Sequence, residues 1–149
     1  MEQPTTTDLA EELRLTIARL ARRIRQHQGG MLTPSQYSAL ATIEQQGPIR
    51  LSDLAVAERI APPTITKIVG GLEEAGHVER NVDPEDRRSA RVQLTAKGAS
   101  TLRQLRTERT AYLRSRIAQL DPADRERLEA ALPLLAALVL DEPPVGDSH

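Results

Sequence analysis

The amino-acid sequence predicts a single, mainly α-helical domain with one small β-hairpin, a fold of the α+β class. Three observations predict it. Apolar residues recur at helical spacing along most of the chain. Residues 77–95 instead show two short strand-like segments around an arginine-rich turn. Aromatic residues make up only 1% of the chain, so the core must be Leu, Ile, Val and Ala, which favours closely packed helices.

The composition limits the possible function classes. A chain of 149 residues suits one domain, and 28% charged with 39% hydrophobic residues is typical of a soluble globular protein. The absence of cysteine excludes disulfides, thiol redox sensing and cysteine zinc sites. Residues 1–8 show no leader pattern and no apolar run approaches about 18 residues, so we expect a cytoplasmic protein. Because the net charge is -1, any nucleic-acid surface requires an asymmetric charge distribution.

A long amphipathic helix is predicted over residues 8–27, ending at Gly29-Gly30. Its apolar residues recur in steps of four, four, three and four: Leu9, Leu13, Ile17, Leu20 and Ile24. The interleaved arginines are interpreted as the solvent face of this helix rather than a nucleic-acid stripe. They are Arg19, Arg22, Arg23 and Arg25.

The second helix has clear start and stop signals. Thr33 and Gln36 form a capping-box pair, and Pro34 occupies the first helical position. The helix is predicted to run to about Gln46, where Gly47-Pro48 stops it.

A helix-turn-helix is predicted next. Ser52 is expected to cap a short helix through Glu58, followed by a tight turn at residues 59–61. Pro62 and Pro63 open the second helix, and Gly76 stands where a left-handed residue ends a helix. The inward-facing apolar residues of this second helix are Ile65, Ile68, Val69 and Leu72.

The outer surface of that second helix predicts base contacts. Its outward residues are Pro63, Thr64, Thr66, Lys67 and Gly70. Short hydroxyls can approach base edges, a threonine methyl can contact thymine, and lysine can reach guanine or phosphate. The alternative is that the threonines merely favour the start of a helix. The Gly70-Gly71 pair indicates close approach either to DNA or to a neighbouring helix. Further phosphate contacts are expected at the starts of the neighbouring helices, from Ser35, Gln36 and Ser52.

A strand over residues 77–82, an arginine turn and a second strand complete a winged helix. Arg87, Arg88 and Arg91 lie on or beside the hairpin tip, where guanidinium groups can reach phosphate and enter a narrow minor groove. The alternative is a solvated turn, since nearby carboxylates almost cancel the arginines. The preceding helix-turn-helix favours DNA.

Two C-terminal helices are predicted after the wing. Thr95 caps the first, and Asp121 with Pro122 starts the second. Pro133 is expected to bend that helix or break it near residues 130–132. We therefore expect a DNA-binding lobe at residues 34–95, a helical dimerisation region at residues 8–30 and 96–140, and a disordered tail at residues 141–149. The apolar stripes of the terminal helices favour a homodimer over a monomeric helical bundle.

Other chemistry has little support. His27 and His77 are isolated in sequence and no cysteine can join them in a metal site. The chain has no Gly-x-Ser-x-Gly sequence, phosphate loop or His-x-x-x-His pair. We expect neither a cofactor nor an enzyme.

The wing resembles that of the multiple-antibiotic-resistance regulator (MarR) family of bacterial repressors. The resemblance rests on Asp86-x-Arg88 with Leu94-Thr95 after five further residues, and extends to Gly76-x-Val78-x-Arg80 and the terminal helices. It implies a dimer with interlocked N- and C-terminal helices, a minor-groove contact by Arg88, and an Asp86 that pairs with wing arginines to hold the loop. Pro133 and the scarcity of aromatic residues depart from the family pattern.

The resemblance further implies a small aromatic ligand between the dimer stem and the DNA lobes, for which only Tyr37 and Tyr112 could stack. The predicted function is a dimeric transcriptional regulator that binds double-stranded DNA at an inverted repeat, a repressor relieved by such a ligand. The alternatives are a constitutive regulator without a ligand and a winged helix that contacts an acidic protein.

Overall fold

The computed structural model describes residues 3, 5–27, 30–86, 88 and 90–140. Gly29 and the predicted tail at 141–149 lie outside this range. In chain order the elements are α1 (Thr6–Gln26), α2 (Pro34–Gln46), β1 (Ile49–Arg50), α3 (Leu51–Glu58), α4 (Pro62–Glu74), β2 (Val78–Val82), β3 (Ala90–Leu94), α5 (Ala96–Ile117) and α6 (Pro122–Ala137). This confirms the predicted fold class. None of the helices described here is long and apolar enough to cross a membrane. The chain forms two compact units that divide within α5, after Tyr112.

Helix α1 begins two residues before its predicted start. Thr5 Oγ accepts the N–H of Asp8 at 3.2 Å and the Asp8 carboxylate accepts the N–H of Thr5 at 3.2 Å, which forms a capping box that sequence reasoning missed. The hydroxyl of Thr5 also donates to the Asp8 carboxylate at 2.6 Å, and this bond, followed by the one from the Thr5 backbone N–H, lowers the pKa of Asp8. None of the 21 residues of α1 is buried.

The start of α2 is as predicted. Thr33 Oγ accepts the N–H of Gln36 at 3.1 Å, Gln36 Oε1 accepts the N–H of Thr33 at 3.0 Å, and Pro34 is the first helical residue. The helix ends at Gln46.

The predicted cap of α3 is wrong. Arg50 rather than Ser52 is the N-cap residue, and its side chain makes no capping bond. The reason is strand β1, which was not predicted. Ile49 and Arg50 pair with β3 and remain extended, so the helix begins directly at Leu51. A two-residue strand is too short to show an alternating pattern in sequence.

Two left-handed residues shape the helix-turn-helix. Arg59 ends α3 with φ of 53° and Gly76 follows α4 with φ of 83°, as expected for Gly76. The inward side of α4 is also as predicted, with Ile65, Val69 and Leu72 buried.

The sheet is antiparallel with strand order β1-β3-β2. Val92 of β3 lies opposite Ile49 on one side and Arg80 on the other. Val92 is fully buried and packs into a core formed by α2, α3, α4 and the start of α5. The largest fully buried side chains of this core are Leu40, Ile43, Leu54, Ile65, Val69, Leu72 and Leu102.

The C-terminal helices start as predicted. Thr95 Oγ accepts the N–H of Gly98 at 3.1 Å, and the Asp121 carboxylate accepts the N–H of Asp124 at 2.8 Å. The early break expected near residues 130–132 is wrong, because α6 continues through Pro133 to Ala137. Proline removes the bond to the carbonyl of Glu129, but both residues are exposed, so water can replace the lost donor.

Gly98 gives a first testable prediction. A methyl group there would overlap the backbone carbonyl oxygen of His77. That oxygen accepts the N–H of Thr95 at 3.1 Å and so links the residues after α4 to the start of α5. We expect Gly98→Ala to lower the free energy of unfolding by at least about 1 to 3 kcal/mol, because backbone has to move. Gly70→Ala is the matched control: its methyl group meets no atom within 4 Å, so it should raise stability by about 0.5 to 1 kcal/mol. Equal denaturation midpoints for the two variants would contradict the packing argument.

Candidate nucleic-acid interface

The outward surface of α4 carries the side chains that the sequence predicted there. Pro63, Thr64, Thr66 and Lys67 are exposed, and Gly70 is half-buried. The apolar residues of α4 face the core, which leaves this polar side directed to solvent. The hydroxyl of Thr66 donates to the carbonyl oxygen of Pro62 at 3.0 Å, so its oxygen can still accept a bond and its methyl group remains available.

The structure distinguishes the two glycines of α4. A methyl group on Gly71 would lie 3.1 Å from Nε2 of Gln36, so Gly71 lets α4 approach α2 closely. A methyl group on Gly70 would meet nothing. Of the two explanations for the pair, a neighbouring helix therefore accounts for Gly71 only.

The predicted phosphate contacts at helix starts differ in availability. Gln36 uses both its backbone N–H and its side-chain oxygen in the α2 capping box. Ser35 and Ser52 are exposed in the first turns of α2 and α3. The first turn of α3 receives no side-chain cap from Arg50, which leaves its N–H groups available to an anion. All three residues remain predicted contacts.

The wing tip contains Arg88, whose side chain is exposed. Its backbone N–H donates to the Asp86 carboxylate at 3.0 Å, a turn that fixes the loop locally. The neighbouring predicted contact, Arg87, lies outside the described residues.

A buried carboxylate at the base of the wing is the main feature that sequence reasoning missed. Asp83 accepts the N–H of Glu85 at 3.0 Å and binds Arg50 at 3.2 Å and Arg91 at 3.3 Å. The bond from Glu85 is the largest cause of a lowered Asp83 pKa; burial opposes it, and the two arginines add to it. The resemblance implies that Asp86 pairs with wing arginines. In the structure Asp83 makes ion pairs of this kind, with Arg50 and Arg91. The wing turn contains three carboxylates, Asp83, Glu85 and Asp86, and no sequence signal separates the buried one from the others.

His77 lies at the junction of α4, the sheet and α5. It is buried, and its Nδ1 has no hydrogen-bond partner among the described residues. Burial, followed by the positive charge of Lys97, lowers its pKa, which favours the neutral ring. His27 instead stacks on Tyr112, with ring centroids 4.1 Å apart. The described ranges contain no cluster of three residues suited to a metal ion.

The two tyrosines have separate environments. Tyr37 borders an open groove of about 600 Å³ along α2, which Thr42, Glu44 and Arg106 also line. The guanidinium of Arg109 lies 3.6 Å from the centre of the Tyr37 ring. Glu44 binds Arg106 at 2.8 Å and raises its pKa. Tyr112 is half-buried against His27.

A helix-turn-helix with an exposed polar second helix, followed by an arginine-bearing hairpin, defines a winged-helix DNA-binding protein. The sequence model of the MarR family matches residues 32–90. An HTH-type transcriptional regulator of Mycobacterium tuberculosis is 35% identical over 136 residues, which cover 91% of this chain and 95% of the relative. The chain belongs to the MarR family, and its relatives are transcriptional regulators.

Solved structures agree with this assignment. A putative transcriptional regulator from Pseudomonas aeruginosa superposes with a TM-score of 0.80 at 34% identity, covering 93% of this chain and 100% of that one. A mutant of MepR from Staphylococcus aureus bound to an oligodeoxyribonucleotide has a TM-score of 0.68 at 20% identity, covering 93% and 100% of the two chains. MepR bound to ethidium bromide has a TM-score of 0.59 at 20% identity, covering 88% and 96%.

Proposed function

We propose that the protein is a homodimeric repressor that binds an inverted-repeat operator through two winged-helix lobes and is released by a small aromatic ligand. The observation that carries the dimer is the apolar surface of the terminal helices. Helix α1 buries no residue although it has an apolar stripe, and Leu9, Ile17 and Leu20 are exposed large hydrophobics. Stripes of that length require a covering partner.

Helix α6 supports the same proposal independently. It also buries no residue. Leu132 and Leu134 within it are exposed hydrophobics, and so are the three residues that follow its last residue: Leu138, Val139 and Leu140. In a twofold dimer each such residue is covered in both copies. We propose residues 8–30 and 96–140 as the dimerisation region and residues 34–95 as the DNA-binding lobe, with Leu102 of α5 also packed in the lobe core.

The DNA contacts are proposed on two surfaces of each lobe. The outward residues of α4 lie in the major groove and the wing tip enters the minor groove. The proposed contact residues are Ser35, Gln36, Ser52, Pro63, Thr64, Thr66, Lys67, Arg87, Arg88 and Arg91, with Asp86 stabilising the wing. Binding of an oligodeoxyribonucleotide by a MepR variant of the same fold is consistent with this arrangement.

The operator is the next testable prediction. Selection of bound sequences from random DNA should yield an inverted repeat whose half-site centres lie about one helical turn, roughly 10 base pairs, apart. The two lobes of a twofold dimer must read the same face of the duplex. A selected site without symmetry, or a footprint indifferent to reversal of one half-site, would contradict the dimeric reading. Sequence-independent affinity for an acidic protein would instead favour the protein-contact alternative.

The groove beside Tyr37 is the proposed ligand site, because an aromatic ring and the cationic Arg106 both line it and the guanidinium of Arg109 lies over that ring. MepR binds ethidium, a planar aromatic compound, which is consistent with an aromatic ligand. A small aromatic acid should weaken operator binding by favouring a dimer whose lobes are misplaced for the two grooves. The size of this effect cannot exceed the difference between the affinity of the acid for that dimer and its affinity for the DNA-binding dimer.

The test compares two tyrosine variants in the same operator assay. Tyr37→Ala should abolish the response to the aromatic acid and keep operator affinity without ligand. Tyr112→Ala should keep the response. The opposite pattern would move the site to Tyr112, and an unchanged operator affinity across a panel of such acids would favour the constitutive regulator.

A further inference from the structure

The outer face of the sheet carries a pair of like charges. Arg50 of β1 and Arg91 of β3 are register partners in an antiparallel pair, so their side chains leave the same face. Their neighbours Ile49 and Val92 are buried in the core, so the two arginines project from the opposite face. Adjacent guanidinium groups repel each other unless an anion lies beside them.

Asp83 supplies only part of that negative charge. Its side chain is 4% exposed, whereas those of Arg50 and Arg91 are 43% and 44% exposed. One oxygen, Oδ2, accepts bonds from Nη2 of Arg50 and Nε of Arg91. One carboxylate between two guanidinium groups leaves a net positive charge, and each group keeps several N–H donors that these bonds do not use. The cluster of Arg50, Arg91 and Asp83 is therefore held in place and keeps a net positive charge.

The position of the cluster in the fold favours DNA as the source of a second anion. Strand β2 runs towards the wing tip and β3 returns from it, so Arg91 lies at the tip end of the sheet face while Gln93 and Glu79 bond to each other at the far end. Arg50 directly precedes α3 and leaves the start of that helix without a side-chain cap. Positive charge and uncapped N–H groups thus adjoin Arg91, which is itself among the predicted DNA contacts.

We propose that Arg50 and Arg91, held by Asp83, bind a DNA backbone phosphate at the base of the wing. Arg50 is then a DNA-contacting residue and Asp83 a positioning residue that acts through both arginines. The planar fork of arginine matches two oxygens of a phosphodiester. This inference rests on the proposed function, because it requires the lobe to bind duplex DNA.

The test measures how affinity for a random-sequence duplex falls with salt concentration. Arg50→Gln should reduce the slope of log K against log salt by about 0.9 per lobe, close to two units for a dimer, because the Arg91–Asp83 pair that remains has no net charge with which to neutralise the phosphate. Arg80→Gln is the matched control. Arg80 is also ion-paired, to Glu73 at 2.7 Å, but lies opposite Val92 on the other face of the sheet. Arg80→Gln should leave the slope of log K against log salt at the value of the parent protein.

Asp83→Asn separates positioning from charge. It removes the carboxylate and keeps both arginines, so the salt slope should not fall. The ratio of operator affinity to random-duplex affinity should drop, because arginines that are no longer held fix the register of the lobe on the duplex less well, and the base contacts of α4 depend on that register. A purely structural ion pair would instead lower the melting temperature of Arg50→Gln and Asp83→Asn with no change in the slope or in that ratio, and this result would overturn the inference.

A measurement on the parent protein covers the case in which Arg50→Gln does not fold. The ¹⁵N signals of the Arg50 and Arg91 Nε groups should shift when the random duplex is added, and that of Arg80 should not. Shifts with inorganic phosphate at matched ionic strength but none with DNA would overturn the assignment to a DNA phosphate. If the parent binds no duplex, the proposed function fails. If it binds with a salt dependence that Arg50→Gln leaves unchanged, only this inference fails.

Discussion

Deletion of all residues after Leu120 is expected to convert the protein into monomers or aggregates and to abolish binding to the inverted-repeat operator. The deletion removes α6, whose apolar residues are exposed in the isolated chain. A monomer presents a single lobe, so it binds an operator with two half-sites no more tightly than it binds one half-site. Light scattering after size-exclusion chromatography gives the mass directly.

A single substitution tests the same surface without removing a helix. Leu132 lies on the apolar stripe of α6 and is 56% exposed, whereas Val56 on α3 is 77% exposed and lies outside the proposed dimerisation region. Burial of one leucine stabilises by about 1.5 to 3 kcal/mol, and twofold symmetry counts the position twice. Leu132→Glu should therefore weaken the dimer by at least about 3 kcal/mol, more than a hundredfold in Kd.

The control variant, Val56→Glu, should leave the dimer dissociation constant unchanged. A soluble dimer that survives both the deletion and Leu132→Glu would contradict the proposed interface. Equal weakening by the two glutamates would mean that exposed apolar surface in general, rather than the terminal helices, drives association.

Local signals in the sequence were sufficient for most helix boundaries. Thr33, Gln36 and Pro34 start α2, and Asp121 with Pro122 starts α6, because capping bonds join residues three positions apart and need no tertiary information. Gly76 was identifiable for a similar reason, since its positive φ strongly favours glycine. The outward face of α4 followed from the spacing of its buried residues.

The features that were missed depend on contacts distant in sequence. Strand β1 exists because Ile49 pairs with Val92, which lies 43 positions further along the chain. That pairing makes Arg50 the N-cap of α3 and displaces the expected Ser52. The same pairing brings Arg50 to Asp83, so the ion-pair cluster at the wing base could not be inferred before β1 was known. Asp83 itself has the same local appearance as the solvated carboxylates around it.

The second large expected effect distinguishes the DNA contacts of the wing from those of α4, the second helix of the helix-turn-helix. Arg88→Ala should weaken binding to every duplex with a comparable minor groove and reduce the salt slope by close to one unit per lobe, because the residue acts by charge. In the structure its backbone N–H donates to Asp86, and its side chain is exposed to solvent. Asp86→Ala should resemble a milder Arg88→Ala, since it releases the loop but also removes a carboxylate that repels phosphate.

Thr66→Ala should cost about 1 to 3 kcal/mol per half-site on the operator and little on random DNA, because only base-edge contacts carry sequence preference. Its hydroxyl proton is already donated to Pro62, so the groups lost to DNA are an acceptor oxygen and a methyl group. Thr66→Val keeps the methyl group and identifies which of the two matters. A salt titration in which Arg88→Ala matches the parent would refute the wing contact, and a Thr66→Ala variant that loses random and operator affinity equally would show that α4 binds backbone rather than bases.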